Sequence, residues 1–138
     1  TVLSLIPGIS LTAEDPHCFI QYSYVHVGEA PGKELRTGYI RYLLSAFQYN
    51  QTPFVLKVGN SFFSETLVSV HLEEDDFRME GILKLGPFQA IKRTPLSPSI
   101  MGFFAYIPNM ECYHGVISMN HAVDGTVAFG TKACDFTG

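Results

Sequence analysis

The sequence MEGILKLGPFQAIKRTPLSPSIMGFFAYIPNMECYHGVISMN, from Met79 to Asn120, organises this chain. It opens with a strand-like run from Met79 to Leu85, which Gly86-Pro87 ends. The segment that follows contains Pro95, Pro98 and Pro108. Because proline lacks a backbone N–H and has a fixed φ, this segment is predicted to form neither a long helix nor a central strand. A further strand is predicted from Glu111 to His121.

The proline-containing loop is unusually apolar. Its large apolar residues are Ile100, Met101, Phe103, Phe104, Tyr106, Ile107 and Met110. Surface loops usually expose polar groups to water, so this loop is predicted to be buried over the domain or to line a cavity. Glu, Cys, Tyr and His follow it within four residues, from Glu111 to His114. This junction is the predicted functional region.

Outward from this stretch, strands are predicted by alternation of apolar and polar residues. The pattern from His17 to Val27 places Cys18, Ile20, Tyr22, Tyr24 and His26 on one face. The run from Arg36 to Asn50 has helical spacing but many aromatic residues. We favour a strand to about Leu43, followed by irregular chain.

The remaining segments predict short strands separated by turns. They are Thr1–Leu5 (ended by a Pro7-Gly8 turn), Phe54–Val58, Ser61–Phe63, Thr66–Leu72, Asp76–Leu85 and Thr126–Ala133. A turn is also predicted from Gly28 to Gly32. Asp124-Gly125 is the sharpest hairpin signal, since both residues tolerate the positive φ of a type I′ turn. Eight or nine short strands predict an all-β fold, an antiparallel barrel or sandwich.

The composition restricts the number of domains and the kinds of partner that this chain can have. The 138 residues are enough for a single domain, predicted to span 1–138. Hydrophobic residues make up 46% and charged residues only 16%, which predicts an apolar cavity or a face covered by a partner. The net charge is −4 and the nine Lys and Arg are scattered, which argues against a nucleic-acid partner. The acidic run Glu73–Asp76 is interpreted as a solvated turn rather than a metal site.

Cysteine usage indicates a reducing compartment. Cys18, Cys112 and Cys134 are odd in number and lack Cys-x-x-Cys spacing, so neither a disulfide framework nor a zinc site is predicted. No signal peptide and no apolar run of membrane-spanning length is visible. We therefore predict a cytoplasmic location, with no cofactor and no metal.

The blocks MEGILKLGPF, LSPSIMGFFAYIP and MECYHGVISMNH resemble the tocopherol cyclase-like family, most closely its bacterial, uncharacterised branch. The resemblance extends to IPGIS, DPH, FIQ and VGNSFF, which begin at Ile6, Asp15, Phe19 and Val58. Family members have two lipocalin-related β-domains and usually begin with Phe-Glu-Gly-Trp-Tyr. This chain lacks that segment and contains no Trp. We therefore expect a lipocalin-like N-terminal half of a longer protein, trimmed at both ends, whose partner is the missing C-terminal β-domain.

The resemblance implies a hydrophobic ligand, either a prenylated quinol or another isoprenoid. Cyclising a prenyl quinol needs an acid that protonates a double bond, a dry pocket, and aromatic faces that stabilise the cation. Glu111 is the candidate acid, with Tyr113 or His114 to orient it, since a carboxyl group among apolar groups stays protonated to higher pH. The candidate ligand-binding residues are Met101, Phe103, Phe104, Tyr106, Met110 and His121.

Which face of the predicted strand lines a cavity stays open. One face carries Glu111, Tyr113, Ile117, Met119 and His121, and the other carries Cys112, His114, Val116, Ser118 and Asn120. The structural alternatives are a solvated Glu111, a hydrogen-bonded histidine, a buried Cys112 and loop residues that belong to the core.

Three functions therefore compete. The chain is an isoprenoid cyclase or hydratase, a non-catalytic lipid-binding module, or a structural half-domain whose apolar content serves packing. Weak membrane association and homodimerisation are further contacts that the apolar composition allows.

Overall fold

The computed structural model describes residues 1–27, 33–90, 92, 94, 100, 106 and 115–138. These residues form ten β-strands and one short 3₁₀ helix, so the all-β prediction is confirmed. No helix in the described part of the chain is long and apolar enough to cross a membrane. The predicted turn from Gly28 to Gly32 lies outside the described residues.

A three-stranded antiparallel sheet contains β1 (Val2–Ser10), β2 (His17–Val27) and β3 (Lys33–Leu43), in that order. The alternation predicted for β2 is confirmed, because Cys18, Ile20, Tyr22 and Tyr24 are fully buried. We call this layer the small sheet.

A seven-stranded antiparallel sheet, the large sheet, contains the other strands. They are β4 (Phe47–Gln51), β5 (Phe54–Val58), β6 (Ser61–Ser64), β7 (Leu67–Glu74), β8 (Phe77–Leu85), β9 (Val123–Phe129) and β10 (Lys132–Asp135). They lie side by side in chain order, so each pairs with its sequence neighbours. β8 and β9 are hydrogen-bonded neighbours although a long connection separates them.

The two sheets share one hydrophobic core. The β2 side chains pack with Val58, Leu72, Met79 and Val127 of the large sheet. Tyr24 joins the layers most directly, since its ring stacks on that of Phe129 with 3.8 Å between centroids. The described strands thus form two packed antiparallel sheets, an arrangement consistent with the sandwich, and no β-ladder among them closes a barrel.

The predicted turn at Pro7-Gly8 is wrong, because β1 continues through both residues to Ser10. β1 pairs only with β2 among the described strands, and proline is tolerated on an edge strand. Gly8 is required for another reason. A Cβ atom there would lie 2.6 Å from Cζ of Phe19, whose ring lies over the glycine on the next strand.

Two further predictions need correction. The irregular chain expected after Leu43 is instead a 3₁₀ turn, Leu44–Ala46, followed by β4. Asp124 and Gly125 do not form a hairpin turn, because both lie inside β9 and pair with Lys84 and Leu83. The reversal comes at Gly130-Thr131, where Gly130 has a φ of 60° and Phe129 pairs with Lys132.

The strand predicted from Glu111 to His121 is not formed in its described part, from Gly115 to His121. Residues 111–114 lie outside the described residues. From Gly115 to His121 the chain is irregular, with one isolated bridge between Asn120 and Gln89. The alternation of faces assumed for Ile117, Met119 and His121 therefore does not apply.

A polar cluster, the clasp, ties the sheets together at the β7–β8 turn. The Tyr22 hydroxyl donates to Oε2 of Glu74 at 2.6 Å, and Nη2 of Arg36 donates to Oδ1 of Asp76 at 2.6 Å. The Arg36 guanidinium also lies 4.2 Å from the centre of the Phe77 ring. The acidic run is thus a turn at Asp75-Asp76, preceded by β7 residues Glu73 and Glu74.

The clasp gives an expected dependence of stability on pH. The hydrogen bond from Arg36 holds the pKa of Asp76 below its ordinary value of 3.8. A lowered pKa stabilises the folded chain above the ordinary value, and this stabilisation is lost as the pH falls through the lowered one. We expect Asp76→Asn to reduce the drop in unfolding free energy between about pH 7 and about pH 3, as measured by urea denaturation.

Asp75→Asn is the matched control, since Asp75 lies beside Asp76 in the same turn without an ion-pair partner among the described residues. The drop will not vanish in Asp76→Asn, because hydrogen bonds also lower the pKa of Asp15 and Asp135. Equal drops in the two variants would show that the clasp has no such role.

Candidate functional site

An apolar cleft of about 420 Å³ opens between the two sheets. We call it the inter-sheet cleft. Its lining consists of Thr1, Val2, Leu3, Leu5, Phe63, Val68, Leu83, Leu85, Val123 and Phe136. Leu3 and Leu5 come from β1, and the opposite wall comes from the inner face of β6 to β9 and from Phe136.

Strand alternation explains why these side chains converge. Leu3 and Leu5 point inward and are half-buried, whereas Ser4 between them and Ile6 after them are exposed. On the large sheet, Val68 and Leu83 are direct cross-strand partners on the inner face. Neighbouring strands are spaced about 4.8 Å apart in either sheet. The three strands of the small sheet are therefore too few to cover the inner face of the seven-stranded large sheet. Part of the inner face of the large sheet is therefore left open beneath the edge strand β1.

The chain after β10 closes one end of the cleft. The Phe136 N–H donates to the Gly125 carbonyl at 2.9 Å, and Val123 and Gly138 exchange two backbone hydrogen bonds of 2.9 Å. These bonds hold the segment against β9. They place the Phe136 ring at the cleft, 6.5 Å from the centre of the Phe129 ring.

The chemistry of the inter-sheet cleft is uniform. No lining side chain is ionisable, and Thr1 is the one lining residue with a polar side chain. Burying an uncharged polar group without a hydrogen-bond partner costs roughly 2–7 kcal/mol, and burying an unpaired charge costs more. The cleft therefore suits an uncharged apolar molecule, and its described lining side chains provide no acid or base.

A second cavity, of about 510 Å³, lies beyond the ends of β4 to β6. We call it the His121 pocket. It is lined by Gln51, Phe54, Ser64, Glu65, Phe88, Gly115, Ile117, Ser118 and His121. The ring of Phe88 lies 5.1 Å from that of His121.

Ser118 positions His121. Its hydroxyl oxygen lies 3.1 Å from Nδ1 of His121, accepts the N–H of Gln89 at 3.0 Å, and donates to the carbonyl of Asn120 at 3.0 Å. With the hydroxyl proton directed to Asn120, the tautomer that fits this oxygen carries its proton on Nδ1 and donates to Ser118. His121 is thus held by a side chain three residues earlier rather than by a strand.

Seven of the nine predicted site residues lie outside the residues that the structure describes. Those outside the described residues are Glu111, Tyr113, His114, Met101, Phe103, Phe104 and Met110. Tyr106 is described and is 57% exposed. His121 is the predicted ligand-binding residue that lies in a described cavity, and that cavity is separate from the inter-sheet cleft.

Sequence reasoning did not identify the inter-sheet cleft. The alternating pattern indicates which residues of β1, β7 and β8 point inward, but it does not show that the opposing layer stops short of them. The alternation of Leu3, Ser4 and Leu5 is the sequence signal that could have identified the part of the lining that β1 contributes.

The other candidate reactive groups, in the core, are buried. Cys18 and Cys134 are buried free thiols, and burial raises the pKa of Cys18. Burial likewise raises the pKa of Tyr24 to about 12, so its phenol stays neutral. Among the residues that the structure describes, no cluster of three or more His, Cys, Asp or Glu side chains could hold a metal ion.

Comparison with protein-family models, curated proteins and solved structures found no match to this chain.

Proposed function

We propose that this chain binds an uncharged hydrophobic small molecule, of the isoprenoid or prenyl quinol class, in the inter-sheet cleft. The observation that carries the proposal is the cleft itself, whose lining is apolar except at Thr1. Its volume of about 420 Å³ lies within the range of small-molecule sites, roughly 300–1,000 Å³.

Two arguments support the ligand class. A prenyl chain is apolar along its length, so it leaves no polar group unpaired against side chains such as Leu5, Val68 and Leu83. The sequence blocks that resemble the tocopherol cyclase-like family point independently to prenylated quinols.

Binding is better supported than catalysis. Cyclisation of a prenyl quinol needs an acid at the bound double bond, and the described lining of the inter-sheet cleft contains no carboxyl or imidazole. Glu111, with Tyr113 or His114 to orient it, is the acid that the sequence offers. We therefore propose a binding module first, with acid-catalysed cyclisation as an added activity that would require Glu111.

Filling the cleft tests the proposal. We expect Leu5→Trp to weaken binding of geranylgeranyl hydroquinone by about tenfold or more, because the indole occupies the volume that the prenyl chain needs. The measurement is equilibrium dialysis of the full chain under nitrogen. Ile6→Trp is the matched control, because Ile6 is the next residue of β1 and is 51% exposed on the other face.

Ile6→Trp should leave the affinity within about twofold of the unsubstituted chain. Equal affinities in Leu5→Trp and Ile6→Trp, with both variants folded, would place the ligand elsewhere. An absence of binding by the unsubstituted chain would overturn the proposal.

A packing role is the second candidate, favoured by the outer face of the small sheet. Val27 and Leu35 are each about two-thirds exposed there, and apolar residues that form an exposed patch mark interaction surfaces. Such a face suits another domain or a second copy of this chain. The same dialysis separates the two roles, since apolar content that served packing alone would give no binding.

Free Cys18 and Cys134 agree with the proposed cytoplasmic setting.

A further inference from the structure

The His121 pocket has apolar walls. Phe54 comes from β5, while Phe88 and Ile117 come from the described parts of the connection between β8 and β9. Phe88 contacts the imidazole with a 55° angle between ring planes. These walls suit the aromatic or aliphatic body of a small molecule.

The hydroxyl groups of the pocket are already occupied. Ser64 Oγ accepts the N–H groups of Thr66 and Leu67 at 3.3 and 3.0 Å and donates to the carbonyl of Leu67 at 3.1 Å. Ser118 Oγ is occupied in the same way by Gln89, His121 and Asn120. Neither serine has capacity left for a strong bond to a ligand.

The polar groups that remain are mainly acceptors. Glu65 is exposed at the β6–β7 turn, and no cation pairs with it among the described residues. The tautomer in which Nδ1 of His121 donates to Ser118 leaves Nε2 as an acceptor. Gln51 adds an amide, which can accept or donate.

From this combination we infer that the His121 pocket binds an organic cation, a protonated primary amine attached to an aromatic or aliphatic body. The ammonium group donates to the Glu65 carboxylate and to Nε2 of His121, and the body packs against Phe54 and Phe88. Aromatic faces attract a cation as well as an apolar group, which adds to the preference. This site is separate from the inter-sheet cleft and does not depend on a prenyl ligand.

Benzylammonium is the probe for this site. In an NMR titration of the full chain near neutral pH, we expect it to shift the ring signals of His121 and Phe88. We expect Glu65→Gln to weaken this binding by about tenfold, because the substitution removes the charge and keeps the shape. Glu73→Gln is the matched control, since Glu73 is exposed on β7 and does not line the pocket.

Benzyl alcohol, which has the same ring without the charge, should bind about tenfold more weakly than benzylammonium. Equal binding of the two probes would overturn the inference, because the pocket would then be selecting only an apolar body. Equal losses in Glu65→Gln and Glu73→Gln would overturn it as well, since they indicate non-specific attraction to an acidic protein. Signal shifts that leave out His121 and Phe88 would also contradict it.

Discussion

Replacing Gly125 with alanine is expected to destabilise the chain by roughly 3–4 kcal/mol, a large share of the 5–15 kcal/mol that holds a typical domain folded. Gly125 lies inside β9 with a φ of 147°, a conformation that residues with a side chain rarely adopt. A Cβ atom there would lie 2.1 Å from the carbonyl oxygen of Ile82 on β8. Because this oxygen belongs to the backbone, the two strands would have to separate.

Gly130→Ala provides the matched control. Gly130 also has a positive φ, 60°, but a Cβ atom there would have no neighbour within 4 Å. Its cost should be close to that of the left-handed conformation alone, about 1–2 kcal/mol. The measurement is urea denaturation followed by circular dichroism. Similar losses in both variants would show that the contact with Ile82 is unimportant.

The second large effect is expected at Tyr24. Its side chain is fully buried and stacks on Phe129, so it connects the small sheet to the large one. We expect Tyr24→Ala to cost about 3–5 kcal/mol, as for other large-to-small substitutions of buried aromatic residues. The loss should appear as a lower midpoint in urea, or as a failure to fold.

Two comparison variants separate packing from other effects. Tyr24→Phe keeps the ring and removes only the hydroxyl, which lies 3.8 Å from Sγ of Cys134, so it should cost about 1 kcal/mol or less. Tyr49→Ala should also be mild, because Tyr49 is 57% exposed on the edge strand β4. If Tyr24→Phe is as damaging as Tyr24→Ala, the hydroxyl and not the stacked ring joins the sheets.

Alternation and turn residues predicted much of the fold. β2 and β5 have the predicted boundaries, because each combines a period of two with clear ends. The failures came from residues with more than one structural use. Pro7 and Gly8 read as a turn, but an edge strand accommodates the proline and the ring of Phe19 requires the glycine. Asp124-Gly125 read as a hairpin, although Gly125 allows two strands to approach closely.

The candidate site was less predictable than the fold. The apolar content indicated a cavity or a covered face, but a cavity between layers depends on how far one sheet extends past the other. That extent is a long-range property of strand order, which local patterns do not contain. His121 was selected as a strand residue, whereas its position depends on the hydrogen bonds of Ser118.

The pairing of β8 with β9 differs in kind from the others in the large sheet. Every other neighbouring pair of described strands there is joined by a turn of two residues, which largely dictates how the strands align. A connection of 37 residues imposes no alignment. Closing it costs roughly 2–3 kcal/mol more in chain entropy than closing a short turn. The alignment must therefore be encoded in the strands themselves. Gly81 pairs with Val127, and Gly125 pairs with Leu83. At both positions the facing backbone lies too close for a Cβ atom, so this alignment requires glycine there.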